Sequence, residues 1–345
     1  MPRALALLVA VAATGCSSAS YVLRQGIGQF QLLRARRPIA DVLRDPAVDA
    51  HTKDRLRLAV EARDFGVRVL GLHGGDAYTR FLDTHGAPVA WNVSAAPRDR
   101  LVPHLNRFPI VGTVPYLGFF DERDARAAAA ALDQRGLDTW VREVSGYSTL
   151  GFTSDPIYSS MLEGSDAAVV EVVLHEMLHG TVYLPGRSDW DESLATFVGL
   201  HGAALFFAAR GDAASARALA EDASRREREQ AEFARWLEPL VHDLEALYAS
   251  PISRDEKLRR REAIFTAAQS DYRKRFPAPP GKPDGYYART HLNNAIIVGT
   301  AIYHGKNREL DRLFERCGRD LPTMIRLCRR AVENEPDPVE WLRRR

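Results

Sequence analysis

The residues best suited to chemistry sit in one stretch, Val169-Val-Glu-Val-Val-Leu-His-Glu-Met-Leu-His179. Within it His175-Glu176-Met177-Leu178-His179 has the spacing His-Glu-x-x-His. On a helix each residue turns by about 100° and rises about 1.5 Å, so His175 and His179 share one face about 6 Å apart. Both imidazoles can then reach one metal ion. Glu176 lies about 60° beyond His179 on the same wheel, beside such an ion without having to bind it. A general base for a zinc-held water belongs there. Val169, Val170, Val173, Leu174, Met177 and Leu178 surround the helix almost completely, which makes it a core helix. Two histidines and a carboxylate on a buried helix need partners, and a metal is the simplest one.

A catalytic zinc takes three protein ligands and keeps one position open. A third histidine in the spacing His-x-x-Gly-x-x-His is excluded, because Val182 and Pro185 hold those places. After the break Leu184-Pro-Gly-Arg187 a second apolar helix opens at Ser188-Asp-Trp-Asp-Glu192, with Ser188 or Asp189 as N-cap. Glu192 is the first carboxylate inside that helix able to look back at the metal. Asp189 and Asp191 suit capping or support of the ligands, with Asp189 next in line as a ligand. His291 and His304 are the remaining histidine alternatives. His201, nine residues beyond Glu192 on the opposite side of the helix, fits a structural role.

These two motifs belong to a wider pattern. His175-Glu-Met-Leu-His179 with Asp191-Glu-Ser-Leu-Ala-Thr-Phe-Val-Gly199, preceded by Tyr147-Ser-Thr-Leu-Gly-Phe152 and Asp155-Pro156, resembles the family of bacterial aminopeptidases with lipoprotein-like N-termini. Leu32-Leu-Arg-Ala-Arg-Arg-Pro38-Ile, Trp91-Asn-Val-Ser-Ala-Ala-Pro97, Phe108-Pro-Ile-Val-Gly112, Tyr116-Leu-Gly-Phe-Phe-Asp121 and Asn293-Asn294-Ala295 carry the resemblance over most of the chain. It implies a zinc peptidase with His175, His179 and Glu192 as ligands and Glu176 as base. Members of that family often have Asn where this chain has Asp191, and two cysteines where it has Arg107 and Thr113. No disulfide can form at the latter pair here.

The N-terminus reads as an export signal. One positive residue, an apolar run of about ten and a small-residue region lead to Ala13-Thr-Gly-Cys16, which resembles a bacterial lipobox. Residues 1–15 are then the signal peptide and Cys16 the lipidated first residue of the mature chain. Ser17 after it favours the outer membrane, periplasmic face. No other stretch reaches about 18 uninterrupted apolar residues, so the body is expected to be a globule on a lipid tether. The 345 residues carry 47 Lys and Arg against 45 Asp and Glu, mixed throughout. That leaves no basic stripe for nucleic acid. Cys317 and Cys328 are an even pair for an oxidising compartment, and Gly318 and Pro322 break the helix that would hold them too far apart to bridge.

The expected fold is α+β: a mostly helical, zincin-like metallopeptidase with a small mixed β-sheet beside the metal helix and a long helical hairpin. Residues 16–345 form one domain, comprising helical 16–85, 86–210 with the sheet and the metal-binding helices, and helical 211–345. Strands are expected at Val89–Val93, Phe108–Gly112 and Thr139–Val144, with an alanine-rich helix from Glu122 to Arg135. Gly146–Phe152 is either a buried structural strand or the edge strand that pairs with a bound peptide, in which case Ser148 and Thr149 are substrate contacts and Tyr147 is a donor to a developing oxyanion. Residues 212–276 form an antiparallel helical hairpin whose charge runs face solvent. The apolar helix after Thr290 brings Asn293 and Asn294 as substrate-amide contacts and Tyr303 as a second oxyanion donor; capping or core hydrogen bonds are the other use of the two Asn. The expected activity is zinc-dependent hydrolysis of peptides, as an aminopeptidase. Endopeptidase action and a non-catalytic zinc- or peptide-binding lipoprotein are the alternatives. The exopeptidase motif Gly-x-Met-Glu-Asn is absent, so the expectation of amino-terminal cleavage rests on the resemblance.

Overall fold

The computed structural model describes residues 32, 34–108, 112–144, 155–279, 281–304 and 307–344. Cys16 and the signal segment, and Tyr147, Ser148 and Thr149 with the rest of 146–152, lie outside them. The backbone of Tyr303 is described, its side chain is not.

The chain is α+β and mostly helical. Helices α1 (Ile39–Arg44) and α2 (Ala50–Phe65) lead in, the latter capped by the Asp49 carboxylate on the Thr52 N–H at 2.9 Å. A π-helical turn over Gly66–Leu70 extends α2 to the point where the apolar pattern ends. Strands β1 (Arg37–Pro38), β2 (Arg80–Leu82) and β8 (Ile157–Tyr158) make a small mixed sheet, β1 antiparallel and β8 parallel to β2. A second sheet, β3 (Ala90–Pro97), β6 (Tyr116–Phe119) and β7 (Leu137–Val144), is antiparallel in the order β6-β3-β7, with Val93 opposite both Leu117 and Val141. Helix α3 (Glu122–Gln134) packs its Ala125, Ala129 and Leu132 onto this sheet.

The sequence led to one mixed sheet with Phe108–Gly112 as a strand. Instead, that stretch ends one strand and begins another, in the hairpin of β4 (Asn106–Phe108) and β5 (Gly112–Val114). The strand–helix–strand order across α3 is resolved with antiparallel neighbours, because β3 comes to lie between β6 and β7.

Helices α4 (Asp166–His179) and α5 (Ser188–Ala209) run through the largest core, with α2 and the C-terminal helices α10 (Asn307–Arg316), α11 (Leu321–Asn334) and α12 (Pro338–Arg344) around them. Helix α5 is long and apolar enough to cross a membrane, but most of it is buried in this core, as befits a central helix. Helices α6 (Ala213–Ala249) and α7 (Arg254–Arg275) form the hairpin expected. Its inner face, Phe233, Trp236, Leu237, Leu240 and Leu244 with Phe265, forms a second core with Leu292, Ile296 and Ile297 around α9 (Asn294–His304), next to the short α8 (Tyr286–Arg289). One residue of the charge run departs from the solvated face. Arg261 is buried and paired with Asp138 of β7 at 2.7 Å, since a guanidinium can be buried only where its N–H groups are met.

Candidate metal centre

The Ser165 hydroxyl caps α4 by accepting from the Ala168 N–H at 3.2 Å, and Asp166 in the first turn pairs with Arg55 of α2. Val169, Val170, Val173, Leu174, Met177 and Leu178 then bury the helix on several sides, so its rotation about its own axis is fixed. At the far end the Thr181 hydroxyl donates to the Met177 carbonyl at 2.9 Å and accepts from the His73 N–H at 2.8 Å.

The approach of α5 to α4 depends on small residues. Glu192, Ala195, Gly199 and Gly202 follow one another at helical spacing and form one stripe of α5. A Cβ on Gly199 would lie 2.7 Å from the Glu171 carbonyl oxygen and 3.2 Å from the His175 Cβ. Nothing larger than glycine lets the two backbones come this close. Between the helices the chain turns at Gly186, at φ +80°. The Asp191 carboxylate accepts from the Leu184 N–H at 2.9 Å and so ties this loop to the start of α5. The N-cap position itself falls on Arg187, whose side chain makes no capping bond, and neither Ser188 nor Asp189 holds it. Asp191 has taken over the closure.

This packing brings His175, His179 and Glu192 together. The two Nε2 atoms are 3.3 Å apart, and the Glu192 carboxylate oxygens stand 3.7 Å from His175 Nε2 and 3.8 Å from His179 Nε2. Tetrahedral ligands at zinc-like bond lengths of about 2.0–2.1 Å are separated by about 3.3–3.4 Å. Two of the three edges need contract by only a few tenths of an ångström to match, so the residues present fit a divalent cation. The donor types fit as well. Burial pushes the His175 imidazole down to about 3 and His179 to about 4, which keeps both neutral with a lone pair to give.

Around the trio, negative charge is confined. Burial and then the charges of Glu192 and Asp155 push Glu176 up to about 8. Burial also raises Glu192, with the nearby Arg142 opposing. Asp191 is pushed up to about 8, mainly by burial, and its Oδ2 is buried with no hydrogen-bond partner among the described residues. Buried acidic groups this close together call for a counter-charge, and a cation on the trio would oppose these shifts. One turn before His175, Glu171 forms a two-pronged pair with Arg226 of α6 at 2.5 and 3.2 Å, and Asp222 holds the same arginine at 2.9 Å. Helix α4 is thus braced from a third side.

Other residues singled out in the sequence are placed elsewhere. The Asn293 amide donates to the Thr139 carbonyl at 3.0 Å and its oxygen caps α9 at the Ile296 N–H. Asn294 is fully buried; its oxygen accepts from the Tyr248 hydroxyl and its amide donates to the Pro97 and Arg100 carbonyls. The capping and core uses are the ones present. His201 packs against both Phe197 and Phe314, with ring centres 4.1 and 5.0 Å away and those two rings 5.3 Å from each other, as a structural histidine does. His291 pairs with Glu262 at 3.0 Å on the helical hairpin. Cys317 and Cys328 are free thiols, and Cys328 is pushed up to about 12 by burial and by the nearby Cys317.

Two charged residues of the site were not found by motif. Asp155, buried beside β8, had only the Asp155-Pro156 resemblance to mark it. Arg142 had a usable signal, since alternation along β7 puts it on the same face as Trp140.

Comparison with curated proteins returned no match, and neither did comparison with solved structures. Residues 20–338 match one protein-family model, a span that contains the His175, His179 and Glu192 trio, the three sheets seen among the described residues and the helical hairpin. That model is described as "Putative aminopeptidase", and since the match covers nearly the whole chain, the protein belongs to this peptidase family.

Proposed function

We propose that the protein is a zinc-dependent aminopeptidase in which His175, His179 and Glu192 hold the ion and Glu176 transfers the proton. The observation that carries this is the spacing of the trio, 3.3, 3.7 and 3.8 Å, built from two helices that glycine alone lets approach so closely. Membership of a peptidase family supplies the substrate class, a peptide.

When bound, zinc would polarise the scissile carbonyl and lower the pKa of a water near it. The chain's own residues do the rest. Glu176 is next to the trio and not part of it. Its carboxylate takes the proton of the attacking water and hands it to the leaving amine, so the same group serves as base and then as acid. Burial, and then the charges of Glu192 and Asp155, bias Glu176 towards holding a proton, and a bound cation would bias it towards release. A group balanced between these influences near neutrality suits both halves of the transfer. Tyr147 and Tyr303 remain candidates for oxyanion donors, and Ser148 and Thr149 for contacts to the peptide.

Cys16 is the proposed lipid anchor, with the protein on the periplasmic face of the outer membrane. Metal analysis of Glu192→Ala tests the ligand set. Zinc content should fall well below one ion per chain while the helical circular dichroism stays near wild type. Full zinc occupancy in that variant would remove Glu192 from the site and put Asp189 next in line.

A further inference from the structure

The C-terminal helices leave a cleft that the metal centre does not use. Helix α10 packs on α5 with Leu310 and Leu313 inward, three residues apart and so on one face. Helix α12 closes the other side with Val339 and Leu342. Between them lies a cleft of about 210 Å³, with Trp190 of α5 in its wall. These five side chains are almost fully buried, so the floor of the cleft is apolar. An apolar cavity of about 150 Å³ takes up benzene, so this one has room for a phenyl or a branched aliphatic group. Trp190 is about 200° round α5 from Glu192, which puts the cleft on the side of that helix away from the trio.

The rim of the cleft is charged, and its charges do not balance. Glu309 is taken by Arg343 at 2.9 Å, and Glu340 by Arg343 at 3.4 Å and Arg344 at 3.0 Å. Arg312 and Arg316 line the same cleft four residues apart on α10, a spacing at which like charges face and repel each other. Neither has a carboxylate partner among the described residues. Nearby, Arg319 pairs with Glu315 and Arg329 with Glu333. The Arg316 guanidinium donates to the Leu342 carbonyl at 2.8 Å, which holds it at the cleft. Arg312 makes neither a hydrogen bond nor an ion pair among the described residues, and the Trp190 indole N–H has no acceptor among them.

We propose that this cleft binds a small apolar carboxylate, with its apolar body against Trp190 and Leu313 and its carboxylate on Arg312 and Arg316. A guanidinium offers paired N–H groups that match the two oxygens of a carboxylate, and Arg312 has all of its own to give. Two cations above an apolar floor select a ligand with both kinds of end. A plain anion leaves the floor in water, and a neutral hydrocarbon leaves the two arginines repelling each other. Two sources share this chemistry: a single apolar amino acid, such as peptide hydrolysis releases, and a short carboxylic acid without an amine. The site is independent of the metal and of the peptidase reading.

Calorimetry on the full chain tests this with leucine, phenylalanine, 4-methylpentanoate and 3-phenylpropanoate, each against its amide. The acids should bind about 10- to 100-fold tighter than the amides, the scale of one hydrogen bond to a charged group. Tighter binding by the amino acids or by the amine-free acids identifies the source, and equal affinity means that the carboxylate and the apolar body suffice. Arg312→Gln, which has no partner in the fold to lose, should bring the ratio of acid to amide close to one. His175→Ala should leave it unchanged, whereas a carboxylate held by a metal on the trio would be lost in that variant. The indole N–H resonance of Trp190, identified by its loss in Trp190→Phe, should shift as the acid is added. No binding by any of the acids, equal affinity for acid and amide, a ratio that persists in Arg312→Gln, or loss of binding in His175→Ala would each overturn the proposal.

Discussion

Replacing Gly199 with alanine adds one methyl group at the crossing of α4 and α5. The new Cβ would sit 2.7 Å from the Glu171 carbonyl oxygen, where C···O contacts normally begin at about 3.3 Å. A backbone carbonyl in mid-helix cannot swing aside, and the His175 Cβ at 3.2 Å blocks a sideways shift. The helices must separate by about 0.6 Å, which exceeds the tolerance of about 0.2 Å on metal–ligand distances. Glu192 lies two turns back on the same stripe of α5, so it moves with the displaced helix. Overpacking of this kind costs about 1–3 kcal/mol, and if the metal-competent arrangement bears that cost, zinc affinity falls about 5- to 150-fold. Competition with a chelating dye measures the affinity, and thermal unfolding of the metal-free protein measures the strain. The expected result is weaker zinc binding in Gly199→Ala with a lower Tm. Unchanged zinc affinity would show that the close approach of the helices has no bearing on the trio.

Further tests follow from charge and from the N-terminus. Glu176 and Asp191, ordinarily at 4.5 and 3.8, are both pushed up to about 8 in the folded chain. Groups raised in this way contribute stability below their unfolded values and lose it as pH rises through the folded ones. Metal-free protein should therefore lose Tm between pH 6.5 and 8, and the zinc-induced rise in Tm should grow over that window; a rise that is flat or shrinks with pH would contradict the electrostatics of the site. For Cys16, intact mass of protein extracted from membranes should show diacylglycerol on a chain beginning at that residue, and an unmodified soluble product would refute the anchor.

Much of this site was legible because its rules are local. Four-residue spacing on a helix fixed the relation of His175, Glu176 and His179, and a helix following the Pro185-Gly186 break was enough to point to Glu192. The two helices and the hairpin α6–α7 were periodic over long runs and emerged where the pattern put them. Arg107 and Thr113, the pair at which the resemblance implied cysteines, face each other across β4 and β5. What the sequence hid depends on tertiary approach. The antiparallel order β6-β3-β7 cannot be read from strands of four to eight residues, because pairing is set by contacts far apart in the chain. Arg261 reads as one more residue of a solvated charge run until β7 brings Asp138 against it. Gly199 looks like any helical glycine until the Glu171 carbonyl is seen beneath it.

The central claim is that Glu176 moves the proton while His175, His179 and Glu192 hold the metal. Glu176→Gln keeps the shape and removes the base. Zinc content and peptide turnover, measured on the same samples of wild type, Glu176→Gln and His175→Ala, test it most directly. Glu176→Gln should retain about one zinc per chain and lose about 10²–10⁴ in kcat, the usual worth of general acid–base catalysis. His175→Ala should lose metal and turnover together. Turnover at the wild-type rate in zinc-loaded Glu176→Gln would contradict the account.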